Sequence, residues 1–194
     1  MPVLLRDVSA QLAQWELLPL KPAGQMSIAA IRFKGVPPSI QLVPKERVAE
    51  VWTPFPPSVY RGTGVETRLG IMLCVPDDVR QDLEALEEWV REHMKAVVPD
   101  IDSIWKSSTR PPGKYTSALK AKITVAGPYA CQTLDIDGRS APMPTDWHRL
   151  TCIPLIEVRG AYLQKGAAGL VLEVGGLMLG EHMSQVRLSA DDFL

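Results

Sequence analysis

The 194-residue chain contains no asparagine. N-linked glycosylation is therefore excluded, and the Asn-Gly hairpin turn is unavailable to it. Cysteine is scarce: Cys74, Cys131 and Cys152 are odd in number and far apart. That pattern argues against a disulfide framework and for a reducing, intracellular location. Long apolar runs are missing as well. The longest, residues 169–180, is interrupted by Glu173 and falls short of the ~20 residues needed to span a bilayer. Residues 1–8 meet Arg6 and Asp7 before any long apolar run, so no signal peptide is expected.

Catalytic signatures are equally sparse. There is no Cys-x-x-Cys, and His93, His148 and His182 lie far apart, which gives a zinc site no local support. Gly62 with Gly64, and Gly166 with Gly169, are not followed by Lys-Ser/Thr at the start of a helix, so neither pair forms a phosphate loop. No Gly-x-Ser-x-Gly elbow occurs. Asp135, Asp137 and Asp146 could hold a divalent ion, but Asp135-x-Asp137-Gly138 reads better as a turn. His148 and Cys152 read as a surface histidine and a buried thiol. No cofactor, no metal and no enzymatic activity are expected.

What the chain does have is charge segregation beneath a net charge of −1. Residues 1–76 carry +3, residues 77–102 carry −6, residues 103–134 carry +5 with no acid at all, and residues 135–194 carry −3. Such zoning matters more for polyanion binding than the overall balance. Prolines number 17, nine of them before Tyr60, so the first third should be extended and irregular.

The spacing predicts one long amphipathic helix over residues 79–97, with Val79, Leu83, Leu86, Val90 and Met94 on one face. Pro76, Asp77 and Asp78 mark its start and Pro99 its end. Asp82, Glu84, Glu87, Glu88, Arg91 and Glu92 are assigned to a solvated face, and Trp89 to structure. Two-residue alternation predicts strands over 67–75 and 117–125, a long strand over 148–163 interrupted at Pro154, a Gly-rich turn over 164–169, and a strand over 170–179. Weaker strands are expected over 27–33 and 48–53, and residues 134–136 look like one arm of a small hairpin. Strands, one helix, then more strands, without βαβ alternation, point to a mainly β, antiparallel barrel or sandwich carrying one helix.

The acid-free segment interleaves cations with rings. Trp105, Lys106, Arg110, Lys114 and Tyr115 precede a strand bearing Lys120 and Lys122. Trp52, Phe55, Tyr60, Arg61 and Arg68 form a second group. Cations that follow phosphates, with flat rings that stack on bases, are the means by which single-stranded nucleic acid is held. The chain ends at Asp191, Asp192, Phe193 and Leu194, an acidic and apolar tip able to dock on a partner or compete for a basic groove.

On the lysine-bearing strand 118–125, the long strand 150–163, the Gly-rich turn 165–169, the closing strand 170–179 and this tip, the sequence resembles single-stranded DNA-binding proteins of phages and large DNA viruses. The resemblance implies an oligonucleotide/oligosaccharide-binding (OB) barrel, its helix between the third and fourth strands. It also implies a tail that recruits replication proteins, although here Leu194 follows the ring and only two acids precede it. The expected organisation is a Pro-rich part over 1–66, a barrel core over 67–180, and a tether with its tip over 181–194.

The resulting expectation is a non-catalytic binder of single-stranded DNA, acting in replication or recombination. Lys106, Arg110, Lys114, Lys120 and Lys122 would take phosphates, with Trp105 and Tyr115 stacking and Arg61, Arg68 and Arg149 in support. Replication or recombination proteins would meet the tip, the chain would stay off membranes, and it would self-associate. The competing expectation is a structural, assembly or protein-interaction module of viral or mobile-element origin.

Overall fold

A proline and two aspartates set where the long helix begins. In the computed structural model, which describes residues 3–4, 8–43, 48, 50–58, 67–112 and 116–182, helix α1 spans Asp77–Met94 with Pro76 as its N-cap. Asp78 Oδ1 accepts the Val79 N–H at 2.9 Å, satisfying one of the first-turn donors. Asp77 Oδ1 accepts from Arg80 Nε and from Ser117 Oγ, each at 2.8 Å, which ties the helix start to the strand that follows. Val79, Leu83, Leu86, Val90 and Met94 are buried, as their spacing requires, each side chain contributing about 1.5–3 kcal/mol. The helix stops three residues before its expected end, because the Val97 N–H turns back three residues to the Met94 carbonyl. A one-turn helix, α2 (Ile101–Ile104), follows.

The protein is otherwise mainly β. Before α1 come β1 (Val3–Leu4), a 3-10 turn at Ser9–Gln14, β2 (Trp15–Leu17), β3 (Lys21–Ala23), β4 (Met26–Ala29), β5 (Ile31–Phe33), β6 (Ser39–Gln41), β7 (Trp52–Thr53) and β8 (Arg68–Cys74). After it come β9 (Thr109–Arg110), β10 (Ala118–Thr124), β11 (Gln132–Leu134), β12 (Leu150–Gln164) and β13 (Ala167–His182). Among the described residues, the Pro-rich first third holds only short strands, because each proline removes a ladder donor.

Strand β12 pairs with β7, β7 with β8, β8 with β10, β10 with β13, and β13 again with β12, so the pairings close into a cycle. In chain order α1 falls between the second and third members of this cycle, where the sequence placed it between the third and fourth strands. The interior is filled by one hydrophobic cluster in which Leu73, Leu119, Ile123, Ile156 and Leu177 are almost wholly excluded from solvent. The apolar stripe of α1 belongs to the same cluster.

Several sequence expectations need correction. The sheet is not purely antiparallel: β1–β6, β10–β13 and β11–β13 are parallel. The long strand runs through Pro154, which sits opposite Leu177 and offers its carbonyl to the Leu42 N–H at 3.3 Å. The register shifts lie elsewhere, at 150/152, 155/156 and 158/160. The hairpin turn is only Lys165 and Gly166, with Gly166 at φ +72°. Gly169 is inside β13, and His182, expected in a tether, pairs with Leu150. The arm expected over 134–136 is instead Gln132–Leu134, and Asp135–Gly138 makes the turn as read, Asp135 Oδ1 accepting the N–H groups of Asp137 at 3.0 Å and Arg139 at 2.8 Å.

Candidate nucleic-acid interface

Residues directly opposite one another in a β ladder share a face, and alternate residues point to opposite faces. Strand β10 therefore turns Leu119, Ala121 and Ile123 into the core and Lys120, Lys122 and Thr124 outward, with Ala118 on the outward side but itself buried. Opposite that outward set on β8 lie Cys74, Met72, Gly70 and Arg68. The same register carries the face further. Trp52 stands opposite Cys74, Arg110 opposite Ala118, Glu173 opposite Lys122, and Glu157 opposite Glu173. One outer face of β7, β8, β10 and β9 thus holds Trp52, Met72, Arg68, Lys120, Lys122 and Arg110, bordered on the β13 side by two carboxylates.

Of the residues nominated from sequence, Lys106, Arg110 and Lys120 are exposed. The segment 106–110 runs beside the sheet. The Lys106 N–H donates to the Ala168 carbonyl and the Lys120 N–H to the Ser108 carbonyl, both at 2.7 Å. Lys122 is half-buried. Arg68 is exposed but donates to Glu173 Oε2 at 3.4 Å. Arg159 also reaches Glu173, at 3.4 Å, and pairs with Glu157. Arg149 is half-buried in a left-handed conformation (φ +55°), its N–H donating to the Thr53 carbonyl at 2.8 Å. Lys114, Tyr115, Arg61 and the tip Asp191, Asp192, Phe193 and Leu194 lie outside the described residues.

Trp105, nominated for stacking, is half-buried against the core, and its indole N–H points at Glu87 Oε2 at 3.4 Å. Glu87 itself corrects the reading of the helix. Assigned to the solvated face, it is only 4% exposed. Its carboxylate accepts from Ser107 Oγ at 2.7 Å, from the Ser108 N–H at 2.7 Å, and from the Ser108 hydroxyl. Thr109 Oγ1 donates to the neighbouring Glu84 at 3.1 Å. Buried carboxylates persist where hydrogen bonds replace the lost water, and this one gathers four donors from a single loop.

All three cysteines are free and buried. Burial pushes the Cys131 and Cys152 thiols up to about 12 and raises Cys74 as well, which keeps them protonated and poorly nucleophilic. His148 is exposed and Cys152 buried, as their sequence positions suggested. Among the described residues, no helix is long and apolar enough to cross a membrane.

No family model matches the chain, and no curated protein matches it in sequence. Among solved structures it is similar to the single-stranded DNA-binding protein from bacteriophage Enc34 in complex with ssDNA. The identity is 12% and the TM-score 0.46, over 86% of this chain and 96% of that one. The C-terminal truncation of that protein gives 12% identity and a TM-score of 0.45, over 86% and 95% of the two chains. It is also similar to gp2.5, a single-stranded DNA-binding protein encoded by bacteriophage T7, at 12% identity and a TM-score of 0.46, over 74% and 89%.

Two exposed rings extend the picture. Phe55 is 63% exposed in the segment between β7 and the Ser58–Gly70 bridge. Tyr129, absent from the sequence nominations, is 87% exposed. It rides on a turn closed by the Ala130 N–H to the Gly127 carbonyl at 3.1 Å, beside Thr124 at the Arg68 end of the face. The Gly127, Pro128, Tyr129 run directly after the lysine strand was the available signal.

Proposed function

We propose that this protein binds single-stranded DNA without catalysis, on the outer face of β7, β8, β10 and β9. The observation that carries the reading is the register. It sets the half-buried ring of Trp52 on the same face as Arg110, Lys120, Lys122 and Arg68. Cations there track phosphates by displacing counterions, and the indole offers a stacking surface of about 1–3 kcal/mol per base. Lys106 and Arg110 extend the track along one edge, and Phe55 and Tyr129 supply further rings. The cyclic pairing of five strands is read as an OB-like barrel, an architecture whose strand face suits oligonucleotides. Replication or recombination is the proposed setting, with the tip at 191–194 as a docking element for a protein partner.

The test is the affinity for an oligo-dT strand, followed by fluorescence anisotropy across a salt series. Affinity should fall steeply with salt, with a log–log slope of about −0.7 per phosphate contact. Lys120→Glu with Arg110→Glu should abolish binding at moderate salt while the fold, checked by circular dichroism, persists. Absence of binding by the wild type even at low salt would sink the reading. A large, salt-insensitive homo-oligomer without DNA affinity would put the assembly-module reading in its place.

A further inference from the structure

We infer that Glu87 is a positioning residue for the cationic segment 106–110, holding Lys106 and Arg110 in place from inside the protein. The inference rests on the DNA-binding reading above. Among the described residues Glu87 is the one charged side chain that is buried, at 4% exposure. A helix carboxylate turned inward costs desolvation unless donors meet it. Here every donor comes from one short stretch: Trp105 Nε1, Ser107 Oγ, and both the N–H and hydroxyl of Ser108.

Trp105 directly precedes Lys106, and Ser107 and Ser108 lie between the two cations. Lys106 is held on one side by its N–H to Ala168, and Arg110 on the other by pairing opposite Ala118. Between them Ser107 and Ser108 have no regular strand ladder of their own, because β9 is only Thr109–Arg110. The carboxylate of α1 supplies the missing acceptors. It fixes the path of the backbone from which both exposed cations project. Charge-assisted hydrogen bonds of this kind are the strong ones, and several on one carboxylate fix a loop more narrowly than a single contact. Exposed lysine and arginine side chains remain mobile at their tips, so the anchoring acts on their Cα positions and thus on their spacing along a strand of DNA.

A double-mutant cycle tests this on the full chain with oligo-dT as the probe. The proteins compared are the wild type, Glu87→Ala, the pair Lys106→Ala with Arg110→Ala, and the triple variant. Glu87→Ala should bind about tenfold more weakly. Its salt slope should drop by about 1.4, the share of two phosphate contacts on a single strand. The triple variant should bind no more weakly than the Lys106/Arg110 pair alone, since there is then nothing left to position. Hydrogen exchange supplies a second readout. The Lys120 N–H, bonded to the Ser108 carbonyl, should lose protection in Glu87→Ala while the Leu73 and Ile123 amides do not. If Glu87→Ala fails to fold, Ser108→Ala removes one donor with less damage and should show the same non-additivity on a smaller scale. Full additivity of the Glu87 effect, or unchanged affinity and slope in Glu87→Ala, overturns the inference while leaving the DNA-binding reading standing. A wild type that does not bind oligo-dT defeats that reading, and the inference with it.

Discussion

Glu173 on β13 holds Arg68 of β8 at 3.4 Å across the outer face, and takes Arg159 at the same distance from the other side. With Thr124 Oγ1 also donating to it at 3.2 Å, this carboxylate has three partners and is largely shielded. A cation engaged in this way is a poorer phosphate ligand than an exposed one of the same type. The basic face therefore has a graded edge, open at Lys120 and Arg110 and self-neutralised at Arg68.

Replacing Glu173 with Gln should release that edge. Arg68 would lose its anionic partner while Arg159 keeps Glu157, and one negative charge would leave the face. Oligo-dT affinity at low salt should rise several-fold and the salt slope should steepen by about one phosphate contact. The gain should shrink at high ionic strength, where the Debye length falls to about 3 Å at 1 M. An unchanged affinity at low salt would show that the DNA path does not reach Arg68.

Trp52 should separate stacking from charge. Trp52→Leu keeps an apolar group beside Cys74 but removes the extended ring. The expected loss is about 1–3 kcal/mol of binding with the salt slope unchanged. Quenching of the tryptophan fluorescence by oligo-dT should diminish in the same variant. Unchanged affinity and unchanged quenching in Trp52→Leu would take the stacking contact away from Trp52, with Phe55 and Tyr129 the exposed alternatives.

The parts of this arrangement that were legible in the sequence are those governed by local periodicity. The α1 stripe, the β8 and β10 alternation and the long β12–β13 hairpin all announce themselves within a window of ten to twenty residues. The composition of the basic segment was legible too. What could not be read was which residues lie opposite one another: Trp52 and Arg110 are 58 positions apart in sequence and meet on one face only through β8 and β10. Glu87 is a different kind of miss. It stands four residues after Leu83 and three before Val90, so helical spacing alone puts it on the buried stripe. Residue type outweighed position in that reading, because carboxylates are seldom buried unless something waits to bond them. The loop that waits for this one was 18 to 21 residues away.

Acid should weaken the junction between α1 and β10. Hydrogen bonds from Arg80 and then from Ser117 hold the Asp77 carboxyl down at about 2, from an ordinary 3.8. A depressed pKa in the folded state means that the unfolded chain binds the proton first. The contribution is then complete above pH 4 and lost as pH falls towards 2. Urea midpoints measured from pH 6 to pH 2 should fall less steeply for Asp77→Asn than for the wild type, the two curves converging at the acid end. Parallel curves would mean that Asp77 carries none of the acid sensitivity.

Gly169 links the fold to the proposed interface, and its substitution should affect both. A Cβ placed there would meet the Lys106 carbonyl oxygen at 2.7 Å and the Tyr162 ring at 3.0 Å. The carbonyl is backbone and cannot swing aside, since the Lys106 N–H is itself bonded to Ala168, the residue before Gly169. Gly169→Ala must therefore push segment 105–106 away from β13, at an overpacking cost of about 1–3 kcal/mol. Gly166→Ala offers a contrast. It has open space around it but sits at φ +72°, so its cost of about 1–2 kcal/mol is conformational and confined to the turn. Thermal denaturation should show both variants less stable than the wild type. Only Gly169→Ala should also weaken oligo-dT binding when both are measured well below their midpoints, because only it displaces the backbone that carries Lys106. Equal affinities for the two variants would separate the 105–106 path from DNA binding and leave Gly169 with a purely structural part.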